Sequence, residues 1–137
     1  LGIDIRPVLS LKTKIIQIKN LAKGQSIGYN RSYTTDKEIK LAVIPVGYWD
    51  GYSRLLSNKA KVLIKGKAYN IRGNICMNLS MIELPYEADI RVGETVLLLG
   101  PDNGSQEMSV DNLAYLSKTI NYEVITRLNP NIERIII

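Results

Sequence analysis

An all-β domain, a small barrel or sandwich with one short helix near its C-terminus, is predicted from three observations. Apolar and polar residues alternate with period two along most of the chain, glycine- and proline-bearing turns recur, and a single segment carries a helical pattern. The 137 residues suit one domain, 1–137, with enough chain to bury a core.

Taken in order, Leu11 to Lys19 alternates as a strand and Lys23-Gly24 turns the chain. Ile39 to Val46 is a second apolar run, with Pro45 marking an edge or a strand end. Lys61 to Lys65, then Gly66, then Lys67 to Arg72 read as a hairpin closed by a tight turn. Ile75 to Leu84 alternates again, Glu94 to Leu99 is a short buried strand stopped by Gly100-Pro101, and Ile132 to Ile137 is a β-branched closing strand. The helix covers Ser109 to Ser117, with Ser109 as N-cap and Val110, Leu113 and Ala114 on one face.

Composition removes several kinds of chemistry. Apolar residues make 45% and charged residues 23% of the chain, an ordinary balance for a water-soluble fold, and no apolar run approaches the roughly 20 residues of a bilayer span. Leu1 to Pro7 carries Asp4 and Arg6 and does not read as a signal peptide. There is no histidine, which argues against triad hydrolysis and histidine-based zinc sites, so no metal is expected. One cysteine, Cys76, cannot form an internal disulfide and fits a reducing cytoplasm. The net charge of +5 raises a second class of function, a basic β-barrel that binds nucleic acid. Its lysines are scattered and alternate with apolar residues, however, as on the solvated face of half-buried strands.

Eight tyrosines and no phenylalanine hint that some phenols do chemical work, although each alone is more often packing. Gly47-Tyr48-Trp49-Asp50-Gly51-Tyr52 breaks the β pattern and reads as a loop, equally suited to a functional site or an aromatic-stapled turn. In Gly73-Asn74-Ile75-Cys76-Met77-Asn78 the cysteine has no histidine or second cysteine to activate it and reads as a small buried core residue. Thr119-Ile120-Asn121-Tyr122-Glu123 says little by itself.

Together and in this order the segments resemble the C-terminal domain of alanine racemase, a fold-type III pyridoxal-phosphate enzyme. Arg6 to Lys12 resembles the link from the family's barrel, and Ile27-Gly28-Tyr29-Asn30-Arg31-Ser32-Tyr33 the motif ending in its catalytic tyrosine. Gly47 to Asn58 matches GY-x-DGY-x-R-x-LSN, Gly73 to Met77 the substrate-side loop, and Thr119 to Val124 the TINYE segment, with Arg134 near the usual ending.

The resemblance implies an isomerase interconverting L- and D-alanine, which supplies D-alanine for peptidoglycan. It implies pyridoxal 5'-phosphate held as a lysine Schiff base in an N-terminal (β/α)8 barrel outside this chain. It also implies a head-to-tail homodimer in which this domain covers the partner's barrel, so the isolated chain is expected to be inactive. A planar reaction centre must be approached from both faces, and the resemblance gives one face to the barrel lysine and the other to Tyr33. A phenol of ordinary pKa near 10 needs nearby cations or donors to serve as base. Met77 is implied to meet the substrate carboxylate through its backbone N–H, and Tyr122 to contact the cofactor phosphate. Tyr48, Arg54 and Ile120 are implied to line the channel into the active site. Asn78 stands where the family usually has aspartate and Asn74 where arginine is common, which bears on substrate handling. By the same resemblance, relatives that act on serine carry a smaller polar residue at the position of Tyr122, so its ring implies alanine rather than serine or a broader range of amino acids.

Overall fold

A computed structural model describes Gly2, residues 6–101 and residues 106–136. Most of the Leu1–Pro7 stretch, and Ile137, lie outside the described residues.

Among these residues nine strands form three antiparallel groups. They are β1 (Leu11–Lys14), β2 (Gln17–Leu21), β3 (Ser26–Ile27), β4 (Tyr33–Thr34), β5 (Ile39–Ile44), β6 (Lys61–Ile64), β7 (Lys67–Asn70), β8 (Ser80–Pro85) and β9 (Thr95–Leu99). One sheet has the order β1-β9-β6-β7, a second β2-β5-β8, and β3 pairs with β4. Leu11, Val62, Ile64, Val96 and Leu98 from the first sheet share a core with Ala42, Ile44, Ile82 and Leu84 from the second. The expected sandwich-like β-domain is what forms.

The run expected as one strand from Leu11 to Lys19 is two. At Ile15-Ile16 two consecutive apolar residues break the alternation, Ile15 buried and Ile16 exposed. Ile15 N–H donates to Glu94 O, behind β9, while Ile16 N–H donates to Val43 O on β5, so the chain changes sheets between them. The expected hairpin closes through Lys65-Gly66, both at positive φ, with Ile64 opposite Lys67. That two-residue turn is the type I′ geometry matching the strands' twist, and a glycine adopts its left-handed conformation without cost. The two sheets meet where Ile71, just past the end of β7, bridges Ile82 within β8.

Helix α1 (Val110–Leu116) starts at the expected N-cap, with Ser109 Oγ accepting from Asn112 N–H at 3.1 Å. A second helix, α2 (Asn121–Thr126), was not expected. Its β-branched Val124, Ile125 and Thr126 are weak helix formers, so packing against α1 and the core overrides propensity. The closing strand expected over 132–137 is absent from its described part: residues 132–136 pair with no strand. Ile132 packs against the core while Ile135 and Ile136 stay exposed, because β-propensity needs a free edge to pair with. Ile75 to Leu84 likewise yields a strand only from Ser80, the preceding residues forming a loop.

Candidate functional site

The motif loops are tied to one another by backbone and side-chain hydrogen bonds. Tyr48 N–H donates to Cys76 O at 3.1 Å and Trp49 N–H to Met77 O at 3.0 Å, which lays the 47–52 loop along the 73–78 loop. Gly47 sits at the closest approach, where a Cβ would stand 2.1 Å from Cys76 O and 2.4 Å from Met77 O, so only glycine fits. Asp50 holds the loop's own shape: its Oδ2 accepts from Gly47 N–H at 2.9 Å while its N–H donates to Gly47 O at 3.0 Å.

Ser57 and Asn58, the end of the long motif, pin the neighbouring segments. Ser57 Oγ accepts from Ile75 N–H at 2.9 Å, and Asn58 Oδ1 accepts from Gly73 N–H at 2.7 Å. The Asn58 amide also donates to Ser32 O at 3.3 Å, and Asn74 donates to Tyr29 O at 2.9 Å, which ties in the 29–33 segment. Tyr33 and Cys76 pack against a second small core of Ile27, Ile39, Leu41 and Met81. Tyr33, Tyr48 and Met77, far apart in sequence, therefore belong to one laced group of loops. Cys76 is half-buried, less enclosed than the core residue expected from sequence.

Each proposed site residue can be placed. Tyr33 opens β4, half-buried, with its hydroxyl donating to Glu83 Oε2 at 3.0 Å and the Arg72 guanidinium 4.5 Å from its ring centre. Burial, followed by the Glu83 carboxylate, pushes the phenol above its ordinary value; Arg72 opposes and Asp36 adds to the rise. Within this chain, then, the phenol is held protonated. Met77 is 51% exposed, and its N–H finds no acceptor among the described residues. Tyr48 is exposed in the single turn Tyr48–Asp50, and Arg54 is exposed at the start of the turn Arg54–Leu56.

Ile120 and Tyr122 lie elsewhere, at the start of α2, with Tyr122 75% exposed. Their segment reaches the motif loops through Asn129, whose N–H donates to Asp50 O and whose amide donates to Trp49 O. Arg72 and Glu83, which hold Tyr33, were not singled out from sequence. Neither falls in a quoted motif, and Glu83 stands 50 positions from the tyrosine it binds.

The antiparallel β-domain thus carries Tyr33 on a short strand and Tyr48 and Met77 on laced surface loops. The family profile for the C-terminal domain of alanine racemase matches residues 8–136, and the chain belongs to that family. It is 41% identical over 134 residues to an alanine racemase of Clostridium perfringens, covering 98% of this chain and 34% of that protein. Among solved structures it is similar to alanine racemase of Clostridium difficile 630 in complex with cycloserine, with TM-score 0.83 and 38% identity over 91% of this chain and 32% of that one. It is also similar to alanine racemase of Bartonella henselae with covalently bound pyridoxal phosphate, with TM-score 0.82 and 29% identity over 92% of this chain and 34% of that one. The chain spans about a third of the length of the relatives it matches.

Proposed function

We propose that this chain is the C-terminal part of a pyridoxal-phosphate-dependent alanine racemase, following an N-terminal barrel outside its 137 residues. The observation that carries the reading is the lacing of the Tyr48 and Met77 loops beside Tyr33, since it brings the three family motifs to one surface. The chain's residues suit the rim of a cofactor site rather than its anchor. The exposed Tyr122 is free of competing burial and can donate to a phosphate, while the lysine that would carry the cofactor belongs to the barrel. Pyridoxal phosphate, when bound, supplies the electron sink that lets an α-proton leave.

This chain's own contribution is position and proton custody. Tyr33 holds a proton at its Oη on one face of the substrate, and the Met77 N–H orients the carboxylate by a charge-assisted hydrogen bond. Cations that bring the phenol nearer to working pH have to come from a second subunit, because within the chain the balance at Tyr33 favours the neutral form. A head-to-tail pair places them there, and Tyr48, Arg54 and Ile120 then line the way in. Tyr122 favours alanine over larger amino acids by bulk. The setting we assign is the cytoplasm; no helix among the described residues is long and apolar enough to cross a membrane.

The test is racemisation of alanine, with pyridoxal phosphate added, by this chain and by the product of its extended gene. Only the extended protein should be active. In it, Tyr33→Phe should lower the rate about 10²–10⁴-fold, the usual worth of a general acid–base group. Turnover by the 137 residues alone, or unimpaired racemisation by the phenylalanine variant, would overturn the reading.

A further inference from the structure

We propose that Glu83 and Arg72 form a clamp that positions the Tyr33 phenol for proton transfer, an inference that rests on the role given to Tyr33 above. The need for a clamp follows from the tyrosine's own element. Strand β4 has two residues, paired only with the two-residue β3, and such a ribbon fixes a side chain poorly. Both clamp residues come from firmer ground. Glu83 lies within β8, which pairs with β5 along its whole length. Arg72 follows the Ile71–Ile82 bridge, and its N–H donates to Met81 O at 2.9 Å.

The three side chains meet at one atom. Glu83 Oε2 accepts from Tyr33 Oη at 3.0 Å and from Arg72 Nε at 2.5 Å. The guanidinium lies over the phenol ring, 4.5 Å from its centre, so the ring is held on a face as well as at its tip. Arg72 and Glu83 side chains are only 24% and 15% exposed, which limits screening of the pair. Each partner has a distinct job: Glu83 fixes the hydroxyl and its proton, Arg72 fixes the ring and neutralises Glu83. The charged groups facing Tyr33 are Glu83 from β8, Arg72 from beyond β7 and Asp36 from the loop after β4. Glu83 and Asp36 favour the phenol, and Arg72 favours the phenolate.

These opposing signs separate positioning from mere structural support. In the full-length holoenzyme, Glu83→Ala should lower kcat about tenfold, the worth of one hydrogen bond to a charged group, with KM for alanine little changed. Glu83→Gln keeps an acceptor and removes the charge. It should retain more activity than the alanine variant and move the tyrosine limb of the pH–rate profile to lower pH. Arg72→Met should move that limb to higher pH, and Arg72→Lys should recover part of the loss. Should Glu83→Ala fail to fold, the near-isosteric Glu83→Gln decides alone. If Tyr33→Phe is inactive while the folded, cofactor-loaded Glu83 and Arg72 variants keep wild-type kcat and an unmoved pH limb, the clamp is wrong and the role of Tyr33 survives. If Tyr33→Phe still racemises alanine, the role of Tyr33 falls and the clamp falls with it.

Discussion

Two tyrosines that pack against different cores of the fold differ in what surrounds their hydroxyls. The Tyr33 hydroxyl has a carboxylate to donate to, whereas Tyr52 is buried in the main core and its hydroxyl meets no partner among the described residues. Burial alone pushes the Tyr52 phenol far above its ordinary value. The consequence for stability has a definite sign. Below about pH 10 the ring is neutral in both folded and unfolded chains and adds no pH dependence. Above that, the unfolded chain loses the proton while the folded chain keeps it, so stability falls as pH rises. Alkaline denaturation of the full-length protein should therefore steepen above about pH 10, and Tyr52→Phe should flatten it. At neutral pH the same variant should melt at or above the wild-type temperature, because the hydroxyl it removes is unsatisfied. A melting point lowered by several degrees would show that the hydroxyl is satisfied in the assembled protein. The hint in the tyrosine-only composition thus divides among core (Tyr52), clamp (Tyr33) and exposed loop rings (Tyr29, Tyr48).

At the scale of elements, the site depends on how loops are laced rather than on any one strand. Gly47→Ala places a Cβ into two backbone carbonyl groups, and neither can yield without parting the 47–52 and 73–78 loops. We expect a loss of about 2 kcal/mol in stability, typical of overpacking, measured by denaturant melts. Racemisation by the full-length enzyme should fall more than stability does, since Tyr48 and Met77 move apart. Ser109→Ala, which removes the N-cap of α1, should cost about 1 kcal/mol and leave the kinetics alone. These elements also show what a sequence discloses. The hairpin around Lys65-Gly66, the cap at Ser109 and the end of β5 at Pro45 were legible because each depends on local chemistry: a turn, a cap, a missing N–H. The split of the first run at Ile15-Ile16, the fold of α2 and the unpaired 132–136 tail depend on which neighbour a segment finds, and one chain's periodicity does not record that. The same division holds at the site. Tyr33, Tyr48 and Met77 lie in family motifs, whereas Glu83 and Arg72 become visible only when β8 and the end of β7 are brought to β4.

For the molecule as a whole, the main core is shared by two sheets of the one chain, yet the laced loops leave apolar surface in water. Tyr29, Trp49, Leu55, Met77 and Leu79 are all exposed in these loops, Trp49 at 63%. Scattered apolar residues on a surface are unremarkable, but a concentration of rings and aliphatic chains on neighbouring loops marks a contact face. The occupant that goes with the function proposed above is the barrel of a second subunit. Cut off from it, the domain keeps its core and exposes its contact surface. We therefore expect the 137-residue chain to fold and to self-associate as concentration rises, whereas the full-length protein should be a discrete dimer. Static light scattering across a concentration series separates the cases. Growth in mass, with β-rich circular dichroism retained, is the expected result. Replacing Trp49 and Leu55 by polar residues should then return the isolated chain towards monomer and weaken the full-length dimer in parallel. A clean monomer at high concentration would mean that the loop surface is not sticky enough to serve as the contact face, and the subunit arrangement proposed for Tyr33 would lose its support.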